Sequence, residues 1–229
     1  MPRHRTLSIL PFALVALGCN GESGHRVKVG DVAFCLPQKN VIDVSWYQGM
    51  KPLPTDRDFA FLLQAADLPK SIQYVPSLSV RGEPLPVTGV VGIESSGMID
   101  RPPLDHHWVQ YAKAPGAVIE VDTKAHRLAA FEDKSRQFWI VWQVDAQAKL
   151  EVASLPQAAR VLASCRRMEF GSAPGNKAPA SVSCQRTFAA DGLRISYSFG
   201  ESSLNLVPQL DTALIKQVNA WKCERAGAA

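Results

Sequence analysis

The cysteines constrain this chain's fold more than any other feature. There are five, Cys19, Cys35, Cys165, Cys184 and Cys223. Cys19 stands apart at the end of an apolar run. The other four are an even set, which in an oxidising compartment points to two disulfides. Three pairings are open. Cys165 and Cys184 flank the loop-like stretch GSAPGNKAPAS, so a local bridge between them is natural. That leaves Cys35 with Cys223, joining the first strand to the last helix. Free buried thiols are the alternative. A metal site is not favoured, because no two of these cysteines have the C-x₂₋₄-C spacing of zinc ligands.

The start of the chain reads as a secretory signal. Arg3 and Arg5 precede an apolar stretch, Leu7 to Leu17, which ends at Gly18-Cys19. The stretch is too short for a permanent membrane helix, which needs roughly 20 residues. Val15-Ala16-Leu17-Gly18-Cys19 resembles the lipobox of bacterial lipoproteins, although Ala16 stands where Leu is usual and Leu17 is larger than usual. The resemblance implies that Cys19 becomes the lipidated first residue of the mature chain. Asn20 follows, not the Asp that holds such proteins in the inner membrane, so the expected address is the outer membrane, facing the periplasm. The organisation expected is a signal peptide over 1–18, a tether over 19–26, an α+β body over 27–223 and a tail over 224–229. A division of the body near residue 150 is left open.

Without residues 1–18 the chain has enough length for one large domain or two small ones. The whole chain carries a formal charge of +4, and two of its arginines belong to the signal. That excess is too weak to argue for nucleic acid.

The pattern predicts mainly antiparallel strands with a few helices. Val27 to Leu36 reads as a strand with a turn at Gly30-Asp31, and 41–47 as a second. Residues 58–66 fit a strand or a short helix. Prolines 52, 54, 69, 76, 84 and 86 exclude long helices in this half. A strand is expected over 86–95, then a meander over 116–123, 126–133 and 137–145. Trp139 and Trp142 fall on opposite faces of its last strand, so one face is expected to be partly exposed. Leu155, Ala159, Leu162 and Arg166 have helical spacing, which predicts a helix from 155 to about Cys165. Strands 181–189 and 193–199 follow, joined at Ala190-Asp191-Gly192, since Asp-Gly favours a hairpin turn. The clearest helix closes the chain, with Leu210, Leu214, Val218 and Trp221 as its stripe and Pro208 in its first turn.

Candidate chemistry is sparse. In GIESSGMID, Ser95 has Gly97 after it but Ile93 where the nucleophile elbow needs glycine. RPPLDHHWVQY is the densest polar cluster. Asp105, His106 and His107 could act as base or metal ligands, but a third ligand at useful spacing is missing: His25 lies in the expected tether and His126 in a turn. Asp105, His106, His107 and Trp108 around a rigid Pro-Pro suit a partner-binding loop better. No metal or other cofactor is expected, and nothing in the sequence demands an enzyme. A hydrolase would have to use Ser95, Asp105 and His106.

ALGC, VAFCLP near the mature start, and SCQRTFAADGLRISYSF with LDTALIKQVNAWKC near the end give the chain a further likeness. It resembles the lipoprotein immunity proteins that accompany periplasm-acting toxins, often phospholipases, delivered by type VI secretion. The resemblance covers the two ends of the chain and implies a stoichiometric inhibitor. Such a protein would bind a cognate toxin and be held to the membrane by its lipid. An envelope structural or assembly lipoprotein is the competing expectation.

Overall fold

The structure, a computed structural model, describes residues 24–42, 58–79, 82–94, 115–132, 134–145, 159–168 and 181–223. Among the described residues, ten strands and one α-helix make up the framework. Strands β1 (His25–Val29) and β2 (Val32–Leu36) form a separate hairpin. β1 opens at His25, a residue placed in the tether by its polar neighbours. The other eight are β3 (Asp58–Leu63), β4 (Val87–Ile93), β5 (Val118–Asp122), β6 (Arg127–Phe131), β7 (Phe138–Gln143), β8 (Arg160–Met168), β9 (Ser181–Ala190) and β10 (Leu193–Gly200). They form one sheet in the order β3-β4-β10-β9-β8-β7-β6-β5. Every neighbouring pair is antiparallel. The sheet runs across residue 150, since β7 and β8 are hydrogen-bonded neighbours. The expected α+β class, mainly antiparallel with a C-terminal helix and two disulfides, is what the chain adopts.

Alternation explains most of these strands. Phe59, Phe61 and Leu63 of β3 are buried, and the residues between them are half-buried. Leu193, Ile195, Tyr197 and Phe199 repeat the pattern in β10. These side chains share one face. On it lies α1 (Val207–Ala220), which buries Leu210, Leu214 and Val218 with Trp221 just beyond its end. Trp221 packs its ring 5.6 Å from Phe61 and 6.4 Å from Phe59. The β9–β10 turn holds Asp191 at φ +52° and Gly192 at φ +73°. Two successive left-handed residues define the type I′ hairpin turn, and Asp-Gly tolerates them at low strain.

Two expectations are corrected. The stretch predicted to be helical up to Cys165 is strand β8 over its described part. The cause is a bulge. Val141 of β7 pairs with Ala163, whereas its neighbour Trp142 pairs with Val161, so Leu162 is the extra residue. Ala159, Leu162, Ala163 and Cys165 are therefore all buried, and a kinked strand imitates helical spacing. Trp139 and Trp142 do lie on opposite faces, but neither is exposed, at 3% and 0%. Trp139 joins the main core, while Trp142 joins a second cluster with Leu128, Ala130, Ile140, Val144 and Ala159. The sheet is covered on both sides at this point. Of the strand expected over 41–47, Val41 makes an isolated bridge to Phe61, and residues 43–47 lie outside the described residues.

Cys165 pairs with Cys184 across β8 and β9, and Cys35 pairs with Cys223. The first bridge spans 19 residues and the second 188. On chain entropy these loops correspond to about 3 and about 5 kcal/mol. Backbone bonds support the longer bridge. Cys35 N–H donates to Trp221 O at 2.7 Å, and Cys223 N–H donates to Ala33 O at 2.9 Å.

Candidate functional site

The first candidate is the connection between β3 and β4. Leu68 and Ile72 anchor its start in the main core, and Tyr74 packs against the same cluster. Beyond Tyr74 the apolar residues turn outward. Val75 is 63% exposed, Leu78 57% and Leu85 37%. The other exposed large apolar side chains among the described residues are Ile93 and Val121. Single exposed apolar residues are ordinary, and three within one connection make it a candidate contact surface.

The segment is also shaped. Leu85 N–H donates to Ser77 O at 2.7 Å, and Ser79 N–H donates to Glu83 O at 2.8 Å. Gly82 N–H donates to Ser79 O at 2.9 Å, and Glu83 N–H to Ser79 Oγ at 3.1 Å. Leu78 and Pro84 form an antiparallel bridge. Pro76, Pro84 and Pro86 restrict the backbone further. Residues 77–79 and 82–85 are thus bonded to one another as a small antiparallel pair. Beside it lies a groove of about 140 Å³, walled by Tyr74, Leu85, Pro86, Val182 and Phe199, with hydroxyls including those of Ser183 and Ser198 at its edge. Burial pushes the Tyr74 phenol upward in pKa, so it holds its proton more firmly than a free tyrosine.

The second candidate is a polar cluster beneath α1. Arg186 of β9 donates from Nε and Nη2 to Asp211 Oδ2, at 3.3 and 3.1 Å. Its Nη1 donates to Val161 O at 2.7 Å. Tyr197 OH donates to Asp211 Oδ1 at 2.9 Å. Burial first, and then the Asp211 charge, push the Tyr197 phenol far above its ordinary value. Tyr197 therefore holds its proton, and Asp211 has its carboxylate occupied on both oxygens. This arrangement clasps α1 to three strands and offers no free base.

The proposed contact residues Asp105, His106, His107 and Trp108 lie outside the described residues, as do Ser95 and the lipidation candidate Cys19. Among the described residues, no group of three or more His, Cys, Asp or Glu could hold a metal ion. Sequence reading missed the exposed group Val75, Leu78 and Leu85. Its signal was present in VPSLSVRGEPLP, where apolar residues sit among prolines and serines that forbid a central strand.

No family model matches the chain. No curated protein matches it either. Among solved structures, an immunity protein of the Stenotrophomonas maltophilia type IV secretion system is similar, with a TM-score of 0.45 and 10% sequence identity. The match covers 88% of this chain and 94% of that one. At that identity no residue role is transferable.

Proposed function

We propose that this protein is a non-catalytic immunity protein, held to the membrane through Cys19, that neutralises a cognate toxin by binding it. The observation that carries the reading is the exposed apolar group Val75, Leu78 and Leu85, presented by a small antiparallel pair on a body closed by two disulfides. Such a surface is pre-organised and loses little conformational entropy on association. The disulfides suit an oxidising compartment, in keeping with a periplasm-facing outer-membrane lipoprotein. On the sequence resemblance, the toxin is a type VI secretion effector with phospholipase activity.

The test is co-expression of the full chain with the effector encoded beside its gene, directed to the periplasm. Rescue of growth, with a stoichiometric complex recovered on purification, supports the reading. Continued killing, with no complex formed between the purified proteins, sinks it.

A further inference from the structure

The groove beside Tyr74 is built differently from the rest of its sheet face. Thr88 of β4 lies opposite Ser198 of β10, and Gly200 of β10 lies opposite Ser183 of β9. Alternation along each strand turns Thr88, Ser181, Ser183 and Ser198 to the face away from α1. Gly200 supplies no side chain on that face, which leaves a depression, and Ser77 reaches over it. A Cβ at position 200 would stand 2.2 Å from Ser77 Oγ. Five half-buried serine and threonine side chains thus gather around one opening. Among the described residues, no hydrogen bond within the protein takes up their hydroxyls, and Ser181 Oγ is buried without a partner. Further along the same face, Thr187 Oγ1 and Ser196 Oγ bond each other at 2.9 Å. The unpaired hydroxyls therefore belong to the groove and not to the face as a whole.

We propose that this groove is a carbohydrate site, taking one neutral pyranose ring. Volume limits the ligand. The groove holds about 140 Å³, close to the roughly 150 Å³ of a cavity that accepts a single benzene ring. Chemistry then selects among six-membered rings. A wholly apolar ring would seal the hydroxyls away from water without giving them partners. A sugar offers both surfaces the groove needs. Its C–H face lies against Tyr74, Leu85 and Pro86, and its hydroxyls meet groups that, like themselves, both donate and accept. A carboxylate or phosphate only accepts, so it uses half of what these groups offer. Arg166, opposite Ser183 on β8, is exposed and is not part of the described lining. Hydrogen bonds between neutral groups are individually weak, so the site binds in the millimolar range and gains from repeated sugars on one polymer. The inference stands apart from the toxin-binding reading, and either can fail without the other.

The experiment is saturation-transfer difference NMR on the full chain, titrated with the methyl glycosides of glucose, galactose, mannose and N-acetylglucosamine. Cyclohexanol and methyl glucuronide are the comparison ligands. At least one neutral glycoside should bind, with its ring protons saturated most strongly. Ser198→Leu, which fills the groove, should abolish that binding. Ser183→Ala and Thr88→Val should each weaken it about 5-fold. Thr187→Ala should bind as wild type does, since Ser196 already takes that hydroxyl. Unchanged melting temperatures show that the variants are folded, and the two milder changes carry the test if Ser198→Leu is not. Failure of every glycoside to bind at about 10 mM overturns the proposal. Cyclohexanol binding as well as the glycosides would make the groove a plain apolar pocket. Methyl glucuronide binding more tightly than the glucoside would make it an anion site, with Arg166 as the counter-charge. Glycoside binding that survives all three groove variants would place the sugar elsewhere. Each of these three results sinks the assignment.

Discussion

Tyr197 on β10 donates its hydroxyl to Asp211 on α1 at 2.9 Å, and Arg186 takes the other carboxylate oxygen. A helix held mainly by apolar contacts is thus fixed in register by one carboxylate, with Asn219 Nδ2 donating to Asp191 Oδ2 at 3.2 Å near its end. Removing that carboxylate leaves the Arg186 guanidinium, 15% exposed, without its counter-charge. Asp211→Ala should therefore cost about 3 kcal/mol in urea unfolding, and Tyr197→Phe about 1 kcal/mol. An alanine variant as stable as wild type would show that the cluster contributes nothing.

The same phenol predicts a response to alkali. Its folded pKa is raised above the unfolded value, so the folded state keeps a proton that the unfolded chain gives up. The associated stability is complete below about pH 10 and declines as pH rises beyond it. Above that point wild type should lose about 1.4 kcal/mol per pH unit more than Tyr197→Phe. Tyr74, shifted in the same direction, adds to the decline in both proteins. Parallel curves for the two proteins would refute the assignment.

Gly89 predicts a packing defect. A Cβ built there would lie 2.4 Å from the Phe61 ring and 2.5 Å from Ser196 O. Gly89→Ala should cost about 2–3 kcal/mol by overpacking. Adding Phe61→Leu should recover part of that loss, since the ring can be shortened but the carbonyl cannot move away. Strict additivity of the two changes in thermal unfolding would argue against the contact.

The bridges should be unequal. Replacing Cys35 and Cys223 by alanine should cost about 5 kcal/mol, and replacing Cys165 and Cys184 about 3 kcal/mol. Denaturant unfolding of the two double variants measures the order, and a reversed order would point to strain or residual structure in the unfolded chain.

Cys19→Ser should abolish incorporation of labelled palmitate and move the chain from the membrane fraction to the soluble fraction. Retention of label by the serine variant would remove the anchor from the reading.

Hairpins and the last helix were legible in the sequence because their signals are local. Asp191-Gly192 sets a turn by backbone conformation alone, and Leu210, Leu214, Val218 and Trp221 form a stripe at one spacing. β8 was not legible, because its burial pattern is set by a bulge opposite Val141 and Trp142, which depends on a partner strand. The cover over Trp142 is likewise a tertiary fact. Nothing local singles out Asp211, because Arg186 and Tyr197 reach it only through the fold. The exposed apolar group was hidden for a different reason: Val75 and Leu78 have no periodicity to betray them, and only their exposure singles them out.

The strand order has a consequence for assembly. β4 pairs with β10, and the strands between β10 and β5 run backward along the chain. The N-terminal strands β3 and β4 therefore lie at one margin, and β5 to β7 at the other, with the latest-made strands as the only link. A polypeptide emerging from its N-terminus cannot join the two margins until residues 181–200 are free. Cys35 must then wait for Cys223, with Cys165 and Cys184 emerging in between. Pairing in order of appearance would join Cys35 to Cys165, so reaching the native connectivity calls for thiol exchange as well as oxidation.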